Sequence, residues 1–296
     1  MKLPKKVYVA EIGPRDGFQS IKEPISVEDK VKTINMATDA GYKIIEIGSF
    51  VHPKAVTQMA TTDDVAKLIN RKEGTEYRVL TTNLRGIDRA LSAGVDKAKL
   101  TVSASETHNK NNFNTNTEKA FEEFSKCVDA VKGTRLKLSG AICMSFGCPY
   151  EGKTSIEKTE NLVGKFLNLG IKEISLSDTS GMGNPLEVFE KSSYFTKKYP
   201  DVIWTLHLHN TRGLGLANAA AGLQAGITRF DSSFAGLGGC PFSPNSSGII
   251  STEDLVNLFE EMNVSTGVDF DKMIEIGKFV KDLVRKAGDS YILKSK

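Results

Sequence analysis

Two histidines separated by one residue, His207 and His209, are the most informative pair of side chains in this sequence. They end an apolar run, residues 202–209, that predicts a β-strand. Residues two apart on a strand project from the same face, so the two imidazoles are expected to converge. The alternative is a hydrogen-bonded pair without a metal. Because half of the four histidines of the chain lie here, we favour a divalent-metal site that one carboxylate completes.

Asp16 is the best candidate for that carboxylate, and a second acid, Glu46, occupies a comparable place. Asp16 follows the first predicted strand beside Arg15, whose positive charge stabilises a neighbouring carboxylate. Glu46 lies in the apolar sequence Ile44-Ile-Glu-Ile47, where a carboxylate is unfavourable unless it is paired. We therefore expect Glu46 to lie near Arg15. The alternatives are a surface turn for Arg15 and Asp16 and an outward-facing position for Glu46.

Asp178 and Cys240 are further candidates for acid–base chemistry. Asp178 ends a predicted strand in Ser177-Asp-Thr-Ser-Gly181, where it is equally a turn-former or a helix cap. Cys240 lies in a glycine-rich loop, and a thiol there is a proton donor or a nucleophile. The alternative for Cys240 is a small loop residue, because the tripeptide Gly-Cys-Pro also occurs at 147–149.

The elements that must position these residues alternate between strand-like and helical segments. Eight runs rich in β-branched or apolar residues predict strands at 7–12, 43–48, 77–82, 99–103, 137–144, 173–177, 202–209 and 229–234. The sequence Ser26-Val-Glu-Asp29 predicts a capping box at the start of the first helix. Helical segments that end at a glycine before the next strand are indicated at Gly41, Gly94, Gly170 and Gly226.

Eight successive strand–helix units predict an α/β fold, the (β/α)8 TIM barrel. We expect residues 1–296 to form a single domain, with the barrel at about 5–250 and a C-terminal helical extension at about 251–288. A doubly wound sheet is the main alternative, but Gly13-Pro-Arg-Asp-Gly17 does not match the dinucleotide-binding pattern that would favour it. Catalytic residues of such a barrel lie at the C-terminal ends of its strands, where the candidates above are placed.

Composition argues against several classes of protein. The chain has 39 basic and 36 acidic residues and a net charge of +3, which is too balanced for a nucleic-acid-binding protein. No apolar run approaches the roughly 20 residues of a membrane-spanning helix, and no secretory signal is recognisable before the first strand. Four cysteines without a C-x-x-C pair indicate a reducing compartment. We therefore expect a cytoplasmic protein that binds neither nucleic acid nor membranes.

Six motifs of the sequence, in a fixed order, carry more information together than any one of them alone. They are Gly13-Pro-Arg-Asp-Gly-Phe-Gln19, Ile45-Glu-Ile-Gly-Ser-Phe-Val51, Gly147-Cys-Pro-Tyr-Glu-Gly152, Glu173-Ile-Ser-Leu-Ser-Asp-Thr-Ser-Gly181, His207-Leu-His-Asn-Thr-Arg-Gly213 and Asp231-Ser-Ser-Phe-Ala-Gly-Leu-Gly-Gly-Cys-Pro241. With these motifs the chain resembles the 3-hydroxy-3-methylglutaryl-CoA lyase family, a family of metal-dependent TIM-barrel lyases, over nearly its whole length.

The resemblance implies retro-Claisen cleavage of a 3-hydroxy-3-methylglutaryl-CoA-type thioester to acetyl-CoA and a 3-oxo acid, acetoacetate. Such a reaction belongs to leucine catabolism and ketone-body formation. The resemblance implies that Asp16, His207 and His209 hold Mg²⁺ or Mn²⁺, which lowers the pKa of the substrate hydroxyl group. It also implies that His207 or Asp178 is the base that removes the hydroxyl proton.

The same resemblance implies roles for the remaining candidates. Arg15, organised by Glu46, would stabilise the enolate, and Cys240 would protonate it. The positions that match substrate contacts are Lys22, Ser49 and Ser175. An acyl-CoA thioester is the implied partner, and the implied assembly is a homo-oligomer, a dimer.

One position departs from the family. The family has an asparagine as a further metal ligand after the glycine-rich loop, and alignment on Gly248 places Ile249 there. An isoleucine side chain cannot bind a metal, so Asn245 or a water molecule is expected to complete the site. The alternatives to a lyase are a related 2-oxo-acid aldolase, a Claisen-type acyltransferase of the same superfamily, and a catalytically silent homologue.

Overall fold

The structure, a computed structural model, describes residues 3–239, 248–285 and 289–296. The strands are β1 (Tyr8–Glu11), β2 (Ile44–Ser49), β3 (Glu76–Thr81), β4 (Lys97–Ser103), β5 (Lys137–Cys143), β6 (Gly147–Cys148), β7 (Gly152–Lys153), β8 (Glu173–Asp178), β9 (Ile203–Leu208) and β10 (Arg229–Ser232). Eight of them are parallel and close into a barrel in the order β1-β10-β9-β8-β5-β4-β3-β2. This confirms the predicted TIM barrel, and the predicted ends of the barrel strands differ from the observed ends by at most two residues.

Helices follow the barrel strands and continue beyond the last one. The sequence did not predict the antiparallel hairpin of β6 and β7 or the last short helix, because both are too short to show a periodic pattern. No helix in the described part of the chain is long and apolar enough to cross a membrane. The helices are α1 (Val27–Asp39), α2 (Thr62–Leu68), α3 (Leu84–Ala93), α4 (Glu106–His108), α5 (Thr117–Val131), α6 (Ile156–Asn168), α7 (Pro185–Lys198), α8 (Gly215–Gln224), α9 (Thr252–Glu261), α10 (Phe270–Val284) and α11 (Tyr291–Ser295).

The predicted start of α1 is confirmed only in part, and the predicted glycine end of α3 is present. The side chain of Ser26 accepts the backbone N–H of Asp29 at 3.0 Å, which caps the N-terminus of α1. The Asp29 carboxylate accepts the Ser26 hydroxyl at 2.9 Å, so the second bond of the predicted capping box, to the Ser26 backbone N–H, is not formed. Gly94 has a φ of 61° and is the left-handed residue that ends α3. Only glycine adopts this conformation without a steric penalty, so the chain can turn there toward β4.

Charged side chains fill the lower part of the barrel, near the N-terminal ends of its strands. Lys97 lies 2.5 Å from Glu173 and 2.8 Å from Glu76. Arg78 pairs with the same two carboxylates. We call these four residues the lower cluster. A barrel of this type is usually filled by bulky apolar side chains. Here complementary pairs allow charges to be buried.

Two buried carboxylates, Glu11 and Glu253, connect the barrel to α9. Glu11 accepts the N–H of Phe234 at 3.2 Å and the hydroxyl of Thr252 at 2.6 Å. Glu253 accepts the N–H of Ala235 at 3.0 Å. Burial penalises the charged form, and it raises the pKa of Glu11 well above its usual range and the pKa of Glu253 to about 7.

The raised pKa values of Glu11 and Glu253 predict that the free energy of unfolding falls as the pH rises. From the ordinary pKa of 4.5 to about 7, the folded protein binds more protons than the unfolded chain at Glu253, so the free energy of unfolding decreases across that window. For Glu253 the difference corresponds to about 3 kcal/mol. Glu253→Gln, which stays neutral, is expected to flatten this dependence in urea unfolding between about pH 5 and 8. The exposed Glu261→Gln should keep the wild-type slope, and parallel profiles for the two variants would contradict this account.

Candidate active site

A tight turn, Gly13–Gly17, brings Arg15 and Asp16 to the C-terminal end of the barrel. The N–H groups of Arg15 and Asp16 both donate to the carbonyl of Ile12, at 3.0 and 2.7 Å, so the backbone folds back directly after β1. At Gly17 a Cβ atom would lie 2.7 Å from the hydroxyl oxygen of Ser233. The turn therefore packs closely against the end of β10. Arg15 is 8% exposed and Asp16 is 6% exposed.

Arg15 is held between two carboxylates. Its Nε lies 2.5 Å from Glu46 Oε1, and its Nη1 lies 2.9 Å from Asp16 Oδ2. The structure thus places Glu46 inside the barrel mouth beside Arg15, as the sequence predicted. The second carboxylate oxygen of Glu46 lies 2.6 Å from the ammonium group of Lys99. The guanidinium group is consequently fixed in orientation, with Glu46 itself fully buried.

Burial and charge act in opposite directions on these groups, and charge dominates. Burial raises the pKa of Glu46, but the charges of Arg15 and Lys99 outweigh it and lower the pKa to about 2. Burial lowers the pKa of Arg15, but the carboxylates of Asp16 and Glu46 outweigh it and raise the pKa above its ordinary value. Arg15 and Glu46 are therefore both charged at neutral pH.

The two histidines face each other at the end of β9. Their Nε2 atoms are 3.2 Å apart, and the two rings are tilted by 54°. The other ring nitrogen of His207, Nδ1, lies 3.2 Å from Asp231 Oδ2. An imidazole that binds a metal through one nitrogen is commonly held by a carboxylate at the other. His207 has this arrangement, with Nε2 directed to the mouth of the barrel.

Asp16, His207 and His209 have the donor types that a divalent cation requires. Asp16 Oδ2 lies 3.9 Å from His207 Nε2, and adjacent ligands of an octahedral Mg²⁺ lie about 3 Å apart. Within the described residues, no three His, Cys, Asp or Glu side chains already surround a common point. The three side chains therefore do not already form a complete ligand set in this arrangement. The 3.2 Å separation of the histidines also suits a hydrogen bond, so the metal stays a prediction.

Lys99 and Asp231 are two residues of this site to which the sequence analysis gave no role. Both are buried, and Lys99 Nζ lies 3.3 Å from Asp231 Oδ2. Burial raises the pKa of Asp231, but Lys99 and His207 outweigh it and lower the pKa below its ordinary value. The available signal was the spacing of Lys97 and Lys99, two charges on one face of a buried strand.

Asp178 is buried at the end of β8, and its carboxylate accepts two backbone N–H groups, from Met182 at 2.9 Å and from Gly183 at 3.0 Å. These bonds form the turn between β8 and α7, which corresponds to the turn-forming interpretation. Burial raises the pKa of Asp178 to about 6, although the two N–H groups act in the opposite direction. Its role as a base stays a prediction.

The predicted substrate contacts differ in their surroundings. Ser49 and Ser175 are buried, and their hydroxyl oxygens have no hydrogen-bond partner within the described residues. Glu173 points into the barrel, so Ser175, two residues on, faces the same way. Unpartnered buried hydroxyl groups are available to bind a ligand. Lys22 is exposed, on the segment between the turn after β1 and α1.

The predicted residues of the glycine-rich loop lie partly outside the described residues. Cys240 and Asn245 belong to the segment that is not described. Ile249 is described: it is 1% exposed and pairs with His209 through an antiparallel bridge. Directly opposed residues of antiparallel strands project from the same face. The isoleucine side chain therefore lies on the same side as the imidazole of His209.

The chain is similar to known proteins in sequence and in structure over nearly its whole length. The sequence matches the HMGL-like family over residues 6–280. It is 40% identical to hydroxymethylglutaryl-CoA lyase YngG of Bacillus subtilis (strain 168), covering 97% of this chain and 96% of the relative. It is 39% identical to the mitochondrial hydroxymethylglutaryl-CoA lyase of Homo sapiens, covering 98% and 89%. The structure of an HMG-CoA lyase from Acinetobacter baumannii, in complex with coenzyme A and 3-methylmalate, superposes with a TM-score of 0.96 at 38% identity, covering 100% of this chain and 96% of the other.

Proposed function

This chain belongs to the HMGL-like family, and from that premise we propose that it cleaves 3-hydroxy-3-methylglutaryl-CoA, or a close analogue, to acetyl-CoA and a 3-oxo acid. It is a carbon–carbon lyase of the hydroxymethylglutaryl-CoA lyase type, as are relatives 39–40% identical to it over almost the whole chain. The coenzyme A bound to the Acinetobacter baumannii lyase supports an acyl-CoA substrate. With acetoacetate as product, the reaction would serve leucine catabolism and ketone-body formation.

The observation that carries this proposal is the convergence of a fixed arginine and two histidines at the barrel mouth. Arg15 lies 2.9 Å from Asp16, and Asp16 lies 3.9 Å from His207. A retro-Claisen reaction needs a base for the hydroxyl group and a positive charge for the enolate. The cluster offers both within one connected group of side chains.

Asp16, His207 and His209 would hold Mg²⁺ or Mn²⁺, and the ion, when bound, lowers the pKa of the substrate hydroxyl group. These residues also position each other without the ion. Asp231 holds the ring of His207 at Nδ1, so Nε2 stays directed to the mouth. Arg15 holds Asp16, which keeps a carboxylate oxygen on the side of the histidines.

The proposed reaction has two steps. Asp178, or His207 in a state in which its Nε2 does not hold the ion, takes the proton of the 3-hydroxyl group, the oxygen electrons form the carbonyl of the 3-oxo acid, and the C2–C3 bond breaks. The electron pair of that bond moves onto the thioester as an enolate, whose negative charge Arg15 stabilises. Cys240 then gives its thiol proton to C2, which becomes the methyl group of acetyl-CoA. Ser49, Ser175 and Lys22 would contact the substrate.

A panel of coenzyme A thioesters tests this proposal and its alternatives. With Mg²⁺ or Mn²⁺ present, 3-hydroxy-3-methylglutaryl-CoA or a homologue with a longer acyl chain should give acetyl-CoA and the matching 3-oxo acid. A 2-oxo-acid aldolase would instead cleave 4-hydroxy-2-oxo acids, and an acyltransferase would need a second substrate. Absence of acetyl-CoA from every thioester would contradict the proposal and favour a silent homologue.

Because position 249 holds an isoleucine, we predict weaker metal binding than an asparagine at the same position would give. Its side chain lies on the same side as His209 but offers no donor atom. Ile249→Asn is expected to tighten Mn²⁺ binding by about tenfold in calorimetric titration, because it adds a neutral oxygen ligand. Ile249→Val, which stays aliphatic, is the matched control. Asn245→Ala should weaken binding only if Asn245 supplies the missing ligand. Equal affinity in wild type and all three variants would mean that this loop does not approach the metal.

A further inference from the structure

We propose that Lys99 is a positioning residue that holds Arg15 and His207 in register with each other through the carboxylates of Glu46 and Asp231. This inference rests on the proposed function, because it concerns the two side chains to which the reaction is assigned. Lys99 lies on β4, whereas Glu46 lies on β2 and Asp231 on β10. Its ammonium group reaches across the barrel interior to both carboxylates, at 2.6 and 3.3 Å.

The contacts form one continuous chain from the arginine to the histidine. Glu46 uses Oε1 for Arg15 and Oε2 for Lys99. Asp231 uses the same oxygen, Oδ2, for Lys99 and for His207. Each carboxylate therefore has two partners, and Lys99 is the partner that they share. A displacement of its ammonium group would remove one partner from both carboxylates at once.

Charge explains why this position requires a cation. Glu46 is completely buried and Asp231 is 1% exposed, and water cannot separate two such carboxylates. Lys99 is the cation that lies within ion-pair distance of both carboxylates. With a neutral side chain at position 99, each carboxylate would lose that partner and stay buried without a compensating charge. Each would then no longer be fixed opposite Arg15 or His207.

Lys97 provides a matched control for a purely structural role. It precedes Lys99 by two residues on β4, so both side chains point into the barrel. Lys97 is 5% exposed and Lys99 is 4% exposed, and each is paired with two carboxylates. The partners of Lys97 are Glu76 and Glu173, in the lower cluster. Replacing either lysine therefore removes two buried ion pairs. Of the two lysines, only Lys99 contacts the carboxylates that hold Arg15 and His207.

The test compares Lys99→Met with Lys97→Met in the full-length protein. In Lys99→Met, kcat for the thioester that the wild type cleaves should fall about 10- to 100-fold, the size typical of lost support for a catalytic group. KM should change much less, because Lys99 is not assigned a substrate contact. Lys97→Met should lower the melting temperature to a similar extent and keep kcat near the wild-type value. Lys99→Gln, which keeps a hydrogen-bond donor without the charge, should behave as Lys99→Met.

A spectroscopic measurement separates this inference from the proposed function. The Nε–H resonance of Arg15 reports its contact with Glu46, and the ring nitrogen resonances of His207 report its contact with Asp231. Both should shift in Lys99→Met and stay in place in Lys97→Met, whether or not any thioester is cleaved. Unchanged resonances, or an equal fall of kcat in the two variants, would overturn the assignment. If Lys99→Met and Lys99→Gln both fail to fold while Lys97→Met folds, Lys99 is a folding residue and the assignment is also wrong.

Discussion

Arg15→Gln is expected to lower kcat by about 10²- to 10³-fold while KM changes little. The enolate charge exists in the transition state and not in the bound substrate, so a group that stabilises it contributes to kcat. Glutamine retains hydrogen-bond donors but not the charge, and it cannot bind Glu46 and Asp16 in the same orientation. Steady-state kinetics on the thioester that the wild type cleaves measures the effect. Mn²⁺ binding should be largely retained, because Arg15 is not a metal ligand.

Arg89→Gln is the control for the loss of an arginine–carboxylate pair. Arg89, on α3, lies 2.5 Å from Asp63, on α2, and because neither residue is assigned to the reaction, its replacement should leave kcat unchanged. If Arg15→Gln lost Mn²⁺ as severely as His209→Ala, Arg15 would hold the metal site together and would not primarily stabilise the enolate. A kcat close to the wild-type value would remove Arg15 from the chemistry altogether.

Removal of divalent metal is expected to abolish turnover, and addition of Mg²⁺ or Mn²⁺ should restore it. Two imidazoles and a carboxylate bind such an ion, and without it the substrate hydroxyl group has too high a pKa to lose its proton to a histidine or an aspartate. His209→Ala should weaken Mn²⁺ binding by about 100-fold or more, since it removes a ligand directly. Calorimetric titration and activity after chelation measure the two effects independently.

The control for chelation is the same chelator saturated with Mg²⁺ beforehand, which should leave activity intact. Full activity in a sample verified as free of metal would contradict the role given to Asp16, His207 and His209. The 3.2 Å separation of the histidines would then be a hydrogen bond between the rings.

The parts of the site that depend on local periodicity could be predicted from the sequence. His207 and His209 share a face because side chains alternate along a strand, and Arg15 and Asp16 follow β1 directly. The position of Glu46 beside Arg15 also followed from local sequence, because a carboxylate in an apolar strand must find a cation. The barrel itself followed from the regular succession of strands and helices.

The contacts of Lys99 could not be predicted, because they depend on closure of the barrel. Its partners lie on β2 and β10, and neither of these strands is adjacent to β4. Only the curvature and register of the closed barrel bring the three side chains together. The two backbone hydrogen bonds of Asp178 could not be predicted for a different reason. The same local sequence suits a catalytic base and a turn-former, and the fold of the following loop decides between them.

The most direct test of the central claim is to follow cleavage of 3-hydroxy-3-methylglutaryl-CoA in D₂O with Mn²⁺ present. Retro-Claisen cleavage produces one acetyl-CoA and one acetoacetate for each thioester consumed, and protonation of the enolate by a solvent-exchanged donor places one deuterium in the acetyl methyl group. Mass spectrometry of acetyl-CoA at early times measures both the yield and the label. Release of free coenzyme A with the intact acyl acid, or acetyl-CoA without deuterium, would contradict the account.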